Sequence, residues 1–186
     1  MIDLSKIIER CKSQDRKAQK ELYDVYSPVL FGICIRYSKS STDAEDILQE
    51  GFVKIFTKIN NFKGDGSFEG WMRRIIVNTA ISHYHKNKKH NDNYDITEIN
   101  ETDVDGYSYN SDEYTKEELL SVIDNLPAGY KMVFNLYAIE GYKHKEIGEM
   151  LNINANTSKS QYSRAKEKIR EKLNQISTIK IKNEDK

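Results

Sequence analysis

Residues 144–173 read HKEIGEMLNINANTSKSQYSRAKEKIREKL, and the spacing of apolar residues within this stretch decides the fold of the second half of the chain. Ile147, Met150 and Leu151 fall on one face of a helix predicted over His144 to Leu151, and Gly148 is small enough for a second helix to cross closely. Asn152-Ile153-Asn154 reads as a short turn. Asn154 is a suitable cap for a following helix that runs to about Leu173, with Tyr162, Ala165 and Ile169 facing inward. Lys159, Ser160, Gln161, Ser163, Arg164 and Lys166 are left to face outward. Two helices joined in this way form a helix-turn-helix, whose second helix enters the DNA major groove with its N-terminal half toward the base edges.

The same periodicity extends outward from this stretch. A helical block begins near Tyr114, carries Leu119, Leu120, Val122, Ile123 and Leu126, and ends at Pro127. The next helix is expected from Ala128 to Glu140, with Gly141 closing it. Nearer the N-terminus, Ile2 to Lys89 reads as helices: Leu22, Val25, Tyr26, Val29, Leu30, Ile33 and Cys34 keep helical spacing without strand-like alternation. Ser41-Thr42-Asp43 offers cap residues for a helix whose stripe is Ile47, Leu48, Phe52, Ile55, Phe56 and Ile59. Asp43, Asp46, Gln49 and Glu50 lie on or beside its opposite face. The glycines of Lys63-Gly64-Asp65-Gly66-Ser67 mark a loop. Phe68 to about Lys86 returns to a helix with Trp71, Met72, Ile75, Ile76 and Ile81 as its apolar residues.

Residues His90 to Asp112 are polar, acidic and rich in Asn and Asp, so they bury too little surface to offset chain ordering and read as a linker. The expected fold is therefore all-α. Two small helical domains, 1–90 and 114–175, flank a flexible acidic linker over 91–113, and 176–186 is left as a tail. At 186 residues and 38% hydrophobic content, two small cores fit better than one large one.

Lys and Arg together number 29, equal to Asp plus Glu, so binding to an acidic polymer must come from local charge. Trp71 to His90 carries five basic residues and no acid, Asn91 to Glu118 one Lys against ten acids, and Gly141 to Lys172 eight basic residues against four acidic. Two basic blocks are thus separated by an acidic tract. Cys11 and Cys34 sit in apolar helical patterns, where a buried free thiol is the ordinary reading. The N-terminus has no apolar run long enough for a signal peptide or a membrane span, so a cytoplasmic protein without membrane insertion is expected.

Several of these residues carry a resemblance. Asp43-Ala44-Glu45-Asp46-Ile47-Leu48-Gln49-Glu50-Gly51-Phe52 is similar to the stretch of extracytoplasmic-function (ECF) sigma factors, in the sigma-70 family, that docks on RNA polymerase. Phe68-Glu69-Gly70-Trp71-Met72-Arg73-Arg74-Ile75 with Asn78 resembles that family's promoter-melting and minus-ten helix. Leu126-Pro127, Val133-Phe134, Glu140-Gly141-Tyr142, Lys145-Glu146-Ile147-Gly148, Lys159-Ser160 and Ser163-Arg164-Ala165 resemble its C-terminal region. Three motifs in the family's order are more specific than a lone helix-turn-helix. Departures occur at Ser82, where the family has an acid, at Ser158, an apolar position of the recognition helix, and at Asn152, where the family has a turn glycine. Asn visits left-handed conformations more readily than most residues.

The resemblance implies core RNA polymerase and promoter DNA as partners, an anti-sigma factor as a further one, and no cofactor. It implies polymerase contacts at Asp43, Asp46, Gln49, Glu50 and Phe52, and a pocket for one flipped minus-ten base in the loop from Asn61 to Phe68. Asn61, Phe62, Lys63, Gly64, Ser67 and Phe68 line that loop, while Arg73, Arg74, Asn78, Lys86, Lys88 and Lys89 hold phosphates or read exposed bases. Trp71 is assigned to the core. For the minus-thirty-five element, Gln161 and Arg164 have the chemistry for bidentate contacts to adenine and guanine. Lys159, Lys166 and Lys168 suit phosphates, and Ser160 and Ser163 lie on the same helix.

An enzyme is not expected. His83, His85 and His90 suggest a metal cluster, but His83 and His85 stand at i and i+2, which do not share a helix face, no carboxylate or thiol lies at a supporting position, and no metal is predicted. Nothing orders Ser and His as a nucleophile with its base. The remaining alternative is a helix-turn-helix regulator that binds duplex DNA without joining the polymerase, which would have no need of the helix over Asp43 to Phe56 coupled to Trp71 to Lys89.

Overall fold

Apolar residues at helical spacing become the inner faces of two separate helical units. A computed structural model describes residues 3–90 and 114–184, so the expected linker over 91–113 lies outside the described residues. The chain divides into Met1–Tyr94 and Asp95–Lys186. Every regular element among the described residues is helical.

The first unit is built from α1 (Leu4–Lys12), α2 (Arg16–Tyr37), α3 (Ser41–Lys58), a 3-10 turn (Ile59–Asn61) and α4 (Phe68–His90). Asp15 starts α2 by accepting hydrogen bonds from the backbone N–H groups of Lys17 and Ala18, which satisfies donors that a helix start leaves orphaned. The cap of α3 is Ser40, whose side chain accepts from Asp43 N–H, one residue ahead of the Ser41-Thr42-Asp43 set expected. α2, α3 and α4 pack on one another around Leu22, Leu30, Ile33, Ile47, Ile55, Met72, Ile76 and Val77, all nearly or fully buried. Gly51 permits the close approach of α3 to α4, because a Cβ there would collide with the Ile76 side chain. Cys11 and Cys34 are buried free thiols, and burial pushes Cys34 up to about 12.

The second unit contains α5 (Lys116–Asp124), α6 (Ala128–Phe134), α7 (His144–Leu151) and α8 (Ala155–Glu184). Thr115 and Glu118 form a reciprocal capping box at the start of α5. The helix expected over Ala128 to Glu140 is α-helical only over Ala128–Phe134 and loosens into a π-helix over Asn135–Ile139. α6 and α7 both pack against α8, enclosing Val133, Leu136, Ile147, Leu151, Ala165 and Leu173.

The expected end of the last helix near Leu173, with a tail from 176, is corrected. α8 runs on to Glu184, because no Gly or Pro interrupts it and its extension has a surface to pack on. Tyr114 Oη lies 2.6 Å from Ser177 Oγ, and Lys180 Nζ donates to Glu118 at 2.8 Å, tying the extension to the start of α5.

Candidate functional site

The outer face of α3 presents Asp46 and Gln49 as exposed side chains and Asp43 as half-buried. Val53, 65% exposed, lies on the same face, two turns beyond Asp46 and one beyond Gln49. Sequence reasoning missed it, although its spacing from Asp46 and Gln49 was the available signal. Phe52 is corrected from a contact residue to a core residue. It is 3% exposed, and its ring lies 4.6 Å from Tyr23 and 5.8 Å from Phe56.

Glu50 is the second residue whose surroundings differ from a solvated acidic face. Lys54 Nζ lies 2.7 Å from Glu50 Oε1, His83 Nε2 lies 2.7 Å from Oε2, and Lys86 Nζ approaches Oε2 at 3.9 Å. Lys54 also donates to the Thr79 hydroxyl at 3.2 Å, which in turn donates to the Ile75 carbonyl. A polar seam therefore joins α3 to α4. The hydrogen bond from Lys54, assisted by His83, holds the Glu50 carboxyl down at about 2. No supporting carboxylate for His83 was legible from spacing along its own helix, and Glu50 supplies one from 33 residues away. Among the described residues no group of three or more His, Cys, Asp or Glu side chains is placed to hold a metal ion.

Between α3 and α4, Asn61, Lys63, Gly64 and Ser67 are exposed on one loop, and Gly64 and Gly66 take positive φ values of 86° and 82° that favour glycine. Ser67 Oγ accepts from Gly70 N–H at 3.0 Å, which fixes the loop to the first turn of α4. Phe62 is half-buried, with its ring 5.0 Å from Phe68 and 5.6 Å from Trp71. Phe68, expected to line the loop, is 5% exposed and stacks on half-buried Trp71, so it is corrected to the floor beneath the loop. Along α4, Arg74, Asn78 and Lys86 are exposed and Arg73 and Lys88 half-buried, while the Lys89 side chain lies outside the described residues.

The helix-turn-helix is formed by α7 and α8. Asn152 closes α7 in the left-handed region at φ 59° and ψ 45°, and Asn154 Oδ1 accepts from Thr157 N–H at 2.6 Å to start α8. Gly148 is required chiefly by the tight turn into α8, since a Cβ would stand 2.8 Å from the Ile153 carbonyl oxygen and 3.5 Å from the backbone nitrogen of Ala155, the first residue of α8. Lys159 and Lys168 are exposed; Ser160, Gln161, Ser163, Arg164 and Lys166 are half-buried. Lys166 Nζ sits 5.2 Å above the Tyr162 ring, which orients this cation along the helix.

Behind α8 lies a compact aromatic group that sequence reasoning did not find. The His144 ring stacks on Tyr137 at 4.2 Å and 9°, and Tyr162 lies 4.5 Å from Tyr137. His144 Nδ1 is 3.0 Å from the hydroxyl of fully buried Ser158. Burial, reinforced by the charge of Lys159, lowers the His144 pKa below its ordinary value.

Residues 22–90 match the family "Sigma-70 region 2" and residues 116–169 match "Sigma-70, region 4". The chain is 31% identical over 177 residues to the ECF RNA polymerase sigma-E factor of Haemophilus influenzae, covering 90% of this chain and 93% of that protein. It is 30% identical over 186 residues to the ECF RNA polymerase sigma factor SigW of Bacillus subtilis, covering 93% and 98%. Among solved structures, the fold is similar to that of the sigma factor RpoE from Bartonella quintana, co-crystallised with the anti-sigma factor NepR. That likeness has a TM-score of 0.51 at 21% identity, over 83% of this chain and 96% of the other.

Proposed function

Because the chain belongs to the extracytoplasmic-function RNA polymerase sigma factors, we propose that it binds core RNA polymerase and directs initiation at a specific class of promoters. One observation carries this reading over that of a simple regulator. The unit carrying α4 also presents an exposed acidic and apolar face on α3, with Asp46, Gln49 and Val53 on the surface. Such a face suits a basic partner: charge complementarity sets encounter and register while the apolar centre supplies affinity. Duplex readout alone has no use for it.

In this reading Asp43, Asp46, Gln49 and Val53 meet the polymerase, and Glu50 keeps α3 aligned with α4. The loop of Asn61, Phe62, Lys63, Gly64 and Ser67 receives an unstacked minus-ten base. Arg73, Arg74, Asn78, Lys86, Lys88 and Lys89 hold the opened strand or its phosphates. Gln161 and Arg164 read base edges of the minus-thirty-five element, with Lys159, Lys166 and Lys168 on the backbone and Ser160 and Ser163 between them. The first unit then serves the minus-ten element and the second the minus-thirty-five element. Nucleotide polymerisation belongs to the polymerase, so the chain acts without chemistry of its own. An anti-sigma factor is a further proposed partner. No helix among the described residues is long and apolar enough to cross a membrane, which accords with action in the cytoplasm.

The test is strand opening and transcription on candidate promoters with the protein alone, core polymerase alone and the mixture. Holding two weak DNA-binding units on one polymerase converts them into a bivalent reader with a higher effective concentration. Permanganate-reactive thymines and transcripts should therefore arise only in the mixture. Tight sequence-specific binding by the protein alone, with neither opening nor transcripts in the mixture, would refute the reading.

A further inference from the structure

The groups that would touch DNA lie on the outer side of α8, and on its inner side a polar contact joins α8 to α7. Ser158 is fully buried one turn into α8, and His144 is the first residue of α7. The 3.0 Å contact between Nδ1 and Oγ crosses from one helix to the other. Tyr137 stacks on the imidazole and fixes its plane, so the ring has little freedom to follow if Ser158 moves. Apolar packing is non-directional and tolerates a small roll of one helix on another; a hydrogen bond is confined to a narrow range of distance and angle.

We propose that the His144–Ser158 hydrogen bond is a positioning element for promoter specificity, setting the rotation of α8 about its axis and hence which base edges Gln161 and Arg164 reach. This rests on the reading of α8 as the minus-thirty-five helix. The leverage is geometric: a side chain whose end lies about 5 Å from the helix axis moves by roughly 2 Å when the helix rolls by about 20°. A bidentate base contact does not survive a displacement of that size. Ser158 lies three residues before Gln161 and six before Arg164, so both follow its rotation. Burial and the charge of Lys159 favour the neutral imidazole, of which either tautomer can pair with the hydroxyl.

Two substitutions of His144 separate the bond from the ring. His144→Phe keeps an aromatic ring against Tyr137 and removes the nitrogen, whereas His144→Asn removes the ring and places an amide near the former Nδ1. Full-length protein with core polymerase is used to select active promoters from a library randomised in the upstream element, and thermal unfolding is followed in parallel. His144→Phe and Ser158→Ala are expected to flatten discrimination on the order of fivefold at the same one or two positions. The double variant should be no flatter than either single one, and His144→Asn should retain the original preference. A wild-type preference in His144→Phe or Ser158→Ala, or a profile in His144→Asn as flat as that of His144→Phe, overturns the proposal. If wild-type holoenzyme shows no dependence on the upstream element, it is the assignment of α8 that fails, a distinct result.

Discussion

Replacing Glu50 by Gln removes one charge from the seam between α3 and α4 and leaves its shape almost unchanged. The Glu50 carboxyl is depressed from its ordinary 4.5 to about 2. At about 1.36 kcal/mol for each tenfold, that depression has a ceiling of about 3.4 kcal/mol. Solvent lowers it, since the Glu50 side chain is 34% exposed and those of Lys54 and His83 are 32% and 22% exposed. Screening and the hydrogen bonds that an amide can still make bring the expected loss to about 1–2 kcal/mol at pH 7.

Trp71 is the single tryptophan and lies in the first unit, so its fluorescence during urea unfolding of the full chain reports that unit alone. With a urea dependence of about 1–2 kcal/mol per molar, the midpoint of Glu50→Gln should fall by roughly 1 M. The pH dependence follows from the sign of the shift. A carboxyl whose folded pKa lies below its unfolded one stabilises fully above about 4.5 and loses that contribution as pH falls toward about 2. The gap between wild type and variant should therefore close across that window. Equal midpoints at pH 7, or a gap that persists undiminished at pH 2, would show that the seam contributes nothing through the Glu50 charge.

Asp46→Lys and Val53→Ser should each weaken capture of core polymerase while leaving the Trp71 unfolding midpoint within about 0.5 kcal/mol of wild type, because both side chains are exposed; unchanged capture by both would remove the α3 face from the docking assignment. Gly148→Ala should cost about 1–3 kcal/mol, because its Cβ would meet the Ile153 carbonyl at 2.8 Å, and thermal unfolding of the second unit by circular dichroism measures the loss. Arg164→Ala should relax discrimination at one base pair by about 1–3 kcal/mol, whereas Lys166→Ala should weaken all promoters alike, as read by competition between promoter variants in the holoenzyme. Truncation after Gln175 removes the Ser177 and Lys180 contacts to Tyr114 and Glu118, and amide hydrogen exchange over α5 should accelerate if they hold its start in place.

Local periodicity disclosed most of the helices and the helix-turn-helix, because the 3.6-residue repeat, a capping Asn and a left-handed Asn are properties of a few neighbouring residues. The same stripe had already placed Phe52 inward, and burial sides with that placement over the docking role taken from resemblance. Phe68 was harder, since a first-turn aromatic is equally suited to a loop pocket or to the floor beneath it until Tyr26, Phe62 and Trp71 close around it. Three features depend on partners far apart in the chain and left no local trace. Glu50 finds His83 across two helices, His144 finds Ser158 across the turn, and the extension of α8 finds Tyr114 and Glu118.

Those distant pairs change how the surface charges should be understood. An acid on a helix wheel is available to a partner only to the extent that its own fold leaves it unpaired, and moving Glu50 from Lys54 and His83 to an external cation would give up contacts already made. Asp46 is exposed and no comparable clamp forms on it among the described residues, so the cost of bringing it to a basic surface is smaller. Attraction to the polymerase should therefore be concentrated at Asp46 and around Val53, with Glu50 acting through the alignment of α3 and α4. That division separates two kinds of variant: loss at Asp46 should slow association in a salt-dependent way, and loss at Glu50 should lower stability first.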